Sequence, residues 1–400
     1  MNIPDSVLVV GAAAGGLSTV EALRRKGYQG MITVLGAEAH APYDRPPLSK
    51  QVLAGAWPPE RTTLRTPERL STLDAEFVLG DPAVALDPRA REVRTASGET
   101  LRSGAIVVAT GVRPRTLPGQ EELSGVHVLR TLEDALALRA DLLAAKTLVV
   151  VGEGVLGAEI AATAKGMGLD VTMAGPMPAP MAAQLGQRVS ETLSGLHARH
   201  GIRLRLGAGV RRLTGEDGRV AGVELRTGEV LPADVVVVAI GAVPVVDWLE
   251  TSGLRLDNGL VCDSRCRAAD GIYAVGDVAR WHHEPLGRSL RLENRTNATE
   301  QAGAVAANIL GADEPYTPVP YFWTDQFDVK IQVHGTLPTG AQVSIVDSAE
   351  DGGRFVARYE HEDRVAGVLG WNMPKQVRLR RQEVVDSHAA PTHSSALTSN

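Results

Sequence analysis

Cysteine is nearly absent from this chain: Cys262 and Cys266 are the two in 400 residues, and none precedes position 262. That excludes a disulfide-stapled scaffold and fits a reducing compartment. Lysine is scarce, 6 against 35 arginines, a bias that reads as genomic and not mechanistic. No basic excess exists either. With 41 basic and 47 acidic residues the formal net charge is −6, which argues against nucleic acid as the main partner, since phosphate binding needs a basic surface. Long apolar runs are missing. The longest, Val235 to Val246, carries Gly241 and Pro244 and falls short of the ~20 residues of a membrane span. The start, MNIPDSVLVVGAAAGG, has no basic segment before its apolar run, so no secretory leader is expected. His282 and His283 lack partners at metal-ligand spacing, and no metal site is expected. The expectation is a soluble, cytoplasmic protein that engages neither membrane nor nucleic acid.

What is present is an ordinary globular composition, 44% apolar and 22% charged with 42 glycines. The length exceeds what one core usually supports, so two or three domains are expected. One pattern occurs twice. Residues 7–35 read as strand, glycine-rich turn, helix and strand, and residues 147–173 repeat it. Each unit is followed by a valine-rich strand ending in a glycine turn, AIVVATG at 105–111 and DVVVVAIG at 234–241. Near-continuous β-branched runs suit parallel strands covered on both faces. Two βαβ units, each opening a Rossmann-like dinucleotide-binding domain, are therefore predicted. Residues 76–104 and 202–234 alternate apolar and polar residues around glycines and read as inserted antiparallel sheets. From Pro315 on, short strands and a final helix predict a third, α+β domain. Residues 387–400 are small and polar and read as a disordered tail. The expected boundaries are 1–112 with 242–314, 113–241, and 315–386.

The turns carry the chemistry. Gly152-Glu153-Gly154-Val155-Leu156-Gly157 is a full G-x-G-x-x-G between a strand and a helix. Its glycines serve the turn, the backbone approach to a pyrophosphate, and helix–strand packing, and the helix N-terminus presents free N–H groups to the anion. Gly11-Ala12-Ala13-Ala14-Gly15-Gly16 is imperfect, with Ala13 in place of the middle glycine. Glu38, beyond the second strand of the first unit, is placed to accept from an adenosine ribose. In the second unit Gly175 stands where such an acid would be, and no arginine follows to greet a 2′-phosphate. NADH and NADPH are not distinguished by this loop.

The string Pro42-Tyr43-Asp44-Arg45-Pro46-Pro47-Leu48-Ser49-Lys50 resembles the signature of FAD-dependent NAD(P)H:ferredoxin reductases, the putidaredoxin-reductase-like group that serves haem monooxygenases and aromatic-ring dioxygenases. Further matches follow in the family's order: Ala109-Thr110-Gly111, Leu129 to Asp134, Gly157-Ala158-Glu159, Gly276-Asp277, Asn297-Ala298 with Gln301, and Phe322 to Gln326. The resemblance spans residues 5–385. It implies a glutathione-reductase-like α/β fold, with FAD on the first Rossmann unit, NADH or NADPH on the second, and the C-terminal domain over the flavin. Carried over by position, it implies FAD contacts for Gly11, Ala13, Gly15, Gly16, Glu38, Arg45, Lys50, Ala83, Thr110, Gly111, Arg130, Gly276, Asp277, Arg295 and Trp323. For the pyridine nucleotide it implies Gly152, Gly154, Leu156, Gly157, Glu159 and Gly241. Asp277 also reads as a helix N-cap, and Trp323 as a core aromatic. Gly175 departs from the acidic residue common in NADH-using members.

Hydride transfer to a flavin needs stacked rings and excluded water. A lysine near the reacting ring would stabilise charge there, and a buried lysine keeps its proton only if paired. Lys50 and Glu159 read as that pair, the alternative being two solvated side chains. Disulfide reductases of this fold need a redox cysteine pair beside the flavin, and related thiol-dependent oxidases need one early cysteine. This chain has neither. Electrons would then leave singly, to a small iron–sulfur ferredoxin that docks on basic residues: Arg288, Arg291 and Arg295, or Lys375, Arg378, Arg380 and Arg381. Rival readings are a rubredoxin, quinone or monodehydroascorbate-type reductase, and a signalling or assembly flavoprotein resembling apoptosis-inducing factor.

Overall fold

The structure is a computed structural model that describes residues 3–350 and 352–389. They form two compact units. One runs to His283 and is rejoined by Arg288–Tyr316; the other holds Glu284–Gly287 and the chain from Thr317.

Two parallel sheets organise the first unit. In the larger, the strand Ser6–Val10 lies between Met31–Gly36 and Ala105–Val108, with Glu76–Leu79 on one flank and Ile272–Ala274, then Arg267–Ala269, on the other. Only the Arg267–Ala269 edge is antiparallel. In the second, Thr147–Val151 lies between Asp170–Gly175 and Val235–Val238, flanked by Arg203–Leu206 and Val126–His127, all parallel. Val7–Val10, Leu148–Val151 and Val235–Val238 are each buried throughout, as strands covered on both faces must be. In both sheets the strand that feeds a glycine turn has a parallel neighbour on each side. The order therefore reverses there, and a crevice opens at the strands' carboxyl ends. The predicted α/β class with two Rossmann-like units holds.

Two predicted hairpin segments are corrected in part. Glu76–Leu79 and Arg203–Leu206 do not join antiparallel sheets; they extend the two parallel ones. Alternation alone cannot distinguish a half-covered edge strand of a parallel sheet from a hairpin strand. The remainder does form antiparallel three-stranded sheets, Ala83–Asp87 with Glu92–Thr95 and Thr100–Arg102, and Val210–Glu216 with Arg219–Leu225 and Val230–Pro232.

The second unit is an antiparallel sheet in the order Tyr321–Gln326, Val329–Gly335, Arg364–Trp371, Phe355–His361, Gln342–Ser348. The helix Pro374–Ala389 packs across it, with Val377 and Val384 against Val356 and Val368. That helix covers residues 387–389, and Ser387 Oγ accepts from the Val365 N–H at 3.2 Å. The expected tail is corrected there; residues 390–400 lie outside the described residues. No helix among the described residues is long and apolar enough to cross a membrane.

Candidate functional site: two glycine turns and a buried ion pair

Both turns are built alike. Gly11 has φ +123°, and a Cβ on it would lie 2.2 Å from Ala109 O; Gly152 has φ +116° and the same 2.2 Å approach to Ala239 O. Only glycine fits either place. A Cβ on Gly16 would lie 1.8 Å from Gly11 O, and one on Gly157 2.1 Å from Gly152 O, so the helices Ala14–Arg25 and Val155–Gly166 start hard against their turns. Gly154 is different: its nearest neighbour would be Gln184 Nε2 at 4.0 Å. Nothing within the protein requires glycine there, which fits a position left bare for a ligand's approach.

The helix ends agree. Thr131 and Asn294 cap Leu132–Ala144 and Arg295–Ile309 with their side chains. Ala13 and Gly154, the N-caps of the two helices behind the glycine turns, supply no side-chain cap, and neither first turn holds an acid. The N–H donors there keep their capacity for an anion. Leu156 is half-buried in the second of these turns. A pyrophosphate fits this donor set at both places. Gly15 packs against Val275 Cγ1, which would lie 3.2 Å from its Cβ, and Gly241, at φ +93°, accepts from Arg115 N–H through its carbonyl at 2.9 Å.

Lys50 and Glu159 meet. Lys50 Nζ lies 2.6 Å from Glu159 Oε2, with the two side chains 15% and 8% exposed. Ser49 Oγ donates to the same oxygen at 2.6 Å, and Thr163 Oγ1 donates to Ser49 O at 2.8 Å. The segment Leu48–Val52 is a π-type helical turn packed on the helix Val155–Gly166, so the pair joins an element after the first βαβ unit to the helix of the second. Ser49 was not among the expected site residues; its place before Lys50 in the signature string was the available signal.

A second group forms around Asp277. Arg130 Nη2 donates to Asp277 Oδ2 at 3.2 Å, and a Cβ on Gly111 would lie 3.0 Å from the same Arg130 nitrogen. Burial pushes the Arg130 guanidinium down, and Asp277 opposes this. Gly276 donates its N–H to Gln301 Oε1 at 2.8 Å, so Gln301, matched in sequence only through the family resemblance, is a buried anchor of this group. Asp277 sits inside a single 3-10 turn, Gly276–Val278, not at the start of an α-helix. Thr110 Oγ1 donates to Val245 O at 2.8 Å.

Glu38 is engaged from two sides: Oε1 accepts from Arg45 Nη2 at 2.6 Å, and Oε2 accepts from the Tyr43 hydroxyl. The Tyr43 hydroxyl in turn accepts from Leu132 N–H at 3.1 Å, and burial raises its pKa. Arg295 Nε donates to Asp44 Oδ1 at 2.8 Å. Ala83 opens an antiparallel strand in a separate sheet. Trp323, in the second unit, is half-buried and stacks on Tyr321 with ring centroids 5.9 Å apart.

Cys262 and Cys266 are buried free thiols. Burial pushes the Cys266 thiol up to about 12. Both are expected to resist a thiol-reactive disulfide reagent at pH 8 in the native protein and to react fully in denaturant, as absorbance of the released thiolate would record. Among the described residues no group of His, Cys, Asp and Glu could hold a metal ion.

The chain belongs to the pyridine nucleotide-disulphide oxidoreductase family, which matches residues 5–302, and a reductase C-terminal domain matches 321–397. It is 37% identical to rhodocoxin reductase of Rhodococcus erythropolis, over 94% of this chain and 88% of that one. To putidaredoxin reductase of Pseudomonas putida it is 33% identical, over 96% and 93%. Among solved structures it resembles the ferredoxin reductase for the CYP199A2 system of Rhodopseudomonas palustris, with TM-score 0.89, 34% identity and coverage of 92% and 91%. It likewise resembles a covalent putidaredoxin reductase–putidaredoxin complex, with TM-score 0.90, 32% identity and coverage of 96% and 94%.

Proposed function

We propose that this protein is an FAD-dependent oxidoreductase that takes a hydride from NADH or NADPH and passes electrons one at a time to a small iron–sulfur ferredoxin serving an oxygenase. The observation that carries the reading is the paired construction: two uncapped glycine turns in one unit, joined by the Lys50–Glu159 pair, with no early cysteine. Relatives named for ferredoxin reduction, similar over nearly the whole chain, support it.

FAD, when bound, supplies the conversion between a two-electron donor and one-electron acceptors. The first turn, Gly11 to Gly16, holds its pyrophosphate. Glu38, Arg45, Thr110, Gly111, Arg130, Gly276, Asp277 and Arg295 hold the rest, with the domain formed by 1–112 and 242–314. Residues 113–241 bind the nicotinamide nucleotide through the second turn, and 315–386, with Trp323, form the C-terminal α+β domain. Glu159 balances the charge of the half-buried Lys50 at 2.6 Å, and the lysine stabilises negative charge developing at the flavin. Both thiols are buried and no cysteine precedes position 262, which supports electron exit without a sulfur relay. The scarcity of cysteine, two in 400 residues, supports a cytoplasmic location.

Docking calls for free basic groups. Arg291 and Arg295 are engaged by Glu293 at 2.6 Å and Asp44 at 2.8 Å, and Arg380 by Glu383 at 2.7 Å. Lys375, Arg378 and Arg381 are exposed on the helix Pro374–Ala389. Ferredoxin-dependent turnover is therefore expected to fall severalfold as ionic strength rises from about 0.01 to 0.15 M; a flat salt profile would refute an electrostatic dock. Steady-state cytochrome reduction with NADH or NADPH and several added ferredoxins tests the whole reading. Rapid cytochrome reduction only when a ferredoxin is added is the expected result. Slow flavin reduction and a long-lived nucleotide complex would overturn it.

A further inference from the structure

We infer that Glu153, delivered from the glycine turn, reads the adenosine ribose of the pyridine nucleotide in place of an acid at the strand end, and that it selects NADH over NADPH. The inference rests on the proposal that the second turn binds that nucleotide. In a Rossmann unit the ribose reader ordinarily stands at the end of the second strand, ~20 residues beyond the glycines. Here that strand, Asp170–Gly175, ends on a glycine.

The space is filled from elsewhere. A Cβ on Gly175 would lie 1.6 Å from Glu153 Oε2 and 3.3 Å from Oε1. The carboxylate of Glu153 thus occupies the volume where a side chain of residue 175 would begin. Its Oε1 accepts from Met177 N–H at 3.1 Å, and the backbone beneath is held by the Glu153 carbonyl, which accepts from Met181 N–H at 2.7 Å. Among the described residues, no other residue donates to Oε2, which stays able to accept from a ribose hydroxyl.

Burial favours the same partner. Glu153 is 8% exposed, and desolvation raises its carboxyl pKa, with the Met177 N–H opposing. A diol donating to the ionised form would offset that desolvation. A 2′-phosphate would instead set a second negative charge against a poorly solvated carboxylate. The segment after the strand, residues 175–187, contains neither lysine nor arginine, and the first cation beyond it is Arg188, inside the following helix. On the adjoining strand Arg203 donates to Thr172 Oγ1 at 3.0 Å and Arg205 to Glu229 at 2.8 Å.

Calorimetric binding of ADP-ribose and 2′-phospho-ADP-ribose to the FAD-loaded protein tests this without turnover. The wild type is expected to bind ADP-ribose at least about tenfold more tightly, and Glu153→Gln to lose most of that ratio. Gly175→Ala removes no polar group, yet its methyl must displace Glu153, so it should weaken ADP-ribose binding comparably. The exchange Glu153→Gly with Gly175→Glu should restore the preference, because a carboxylate then returns to the same place from the strand end. An unchanged ratio in both Glu153→Gln and Gly175→Ala would overturn the assignment, as would a wild type that prefers the 2′-phosphate. Failure of the wild type to bind either fragment would instead remove the underlying nucleotide reading.

Discussion

Flavin reduction by NAD(P)H is expected to slow by about a hundredfold or more in Lys50→Met, the magnitude typical of losing one electrostatic group in a water-excluded site. The same variant leaves Glu159, with its side chain 8% exposed, without its cation. Removing one partner of a buried ion pair costs about 3 kcal/mol, although the Ser49 hydroxyl still donates to Glu159. Adding Glu159→Gln should recover much of that stability, since a neutral amide needs no cation, while the slow reduction should persist. Stopped-flow bleaching of the flavin and chemical denaturation read the two effects separately. Wild-type reduction rates in Lys50→Met would remove the lysine from the chemistry and leave it a purely structural ion pair.

The second large effect belongs to the first turn. Gly11→Ala is expected to abolish flavin retention and to destabilise the fold by about 2–4 kcal/mol, because the new methyl meets backbone and φ is unfavourable. The clash is with Ala109 O at 2.2 Å and Ala109 C at 2.5 Å, neither of which can swing aside as a flexible side chain could. Ala13→Gly makes the contrast. It opens the middle of the same turn, so flavin should be held at least as well as in the wild type. The absorbance ratio of flavin to protein after purification measures both. A fully yellow, stable Gly11→Ala protein would mean that the turn is not formed as described.

Much of the candidate site was legible along the chain, because backbone demands are local. A valine run followed by glycine states its own strand and turn. The signature string placed Lys50 in advance and the second turn's helix placed Glu159. Their meeting across 109 positions required the packing of a short π-type turn on that helix. The basic residues divided for a similar reason. Arg291 and Arg295 read as docking candidates, but the folded chain brings Glu293 and Asp44 to them. Of the antiparallel stretches predicted at 76–104 and 202–234, residues 76–79 and 203–206 went to parallel edges, because a period of two states only that one face is covered, not which strand lies alongside.

From the amino-acid order alone came the duplicated βαβ plan, the two glycine turns, the lack of any cysteine before position 262, and the missing acid at Gly175. Those features depend on residues adjacent in the chain or on composition. Tertiary structure decided which charges are paired, that Gln301 anchors Gly276, and that Glu153 fills the space beside Gly175. A side chain's partner is set by which surfaces the folded chain presses together, and no local pattern encodes that.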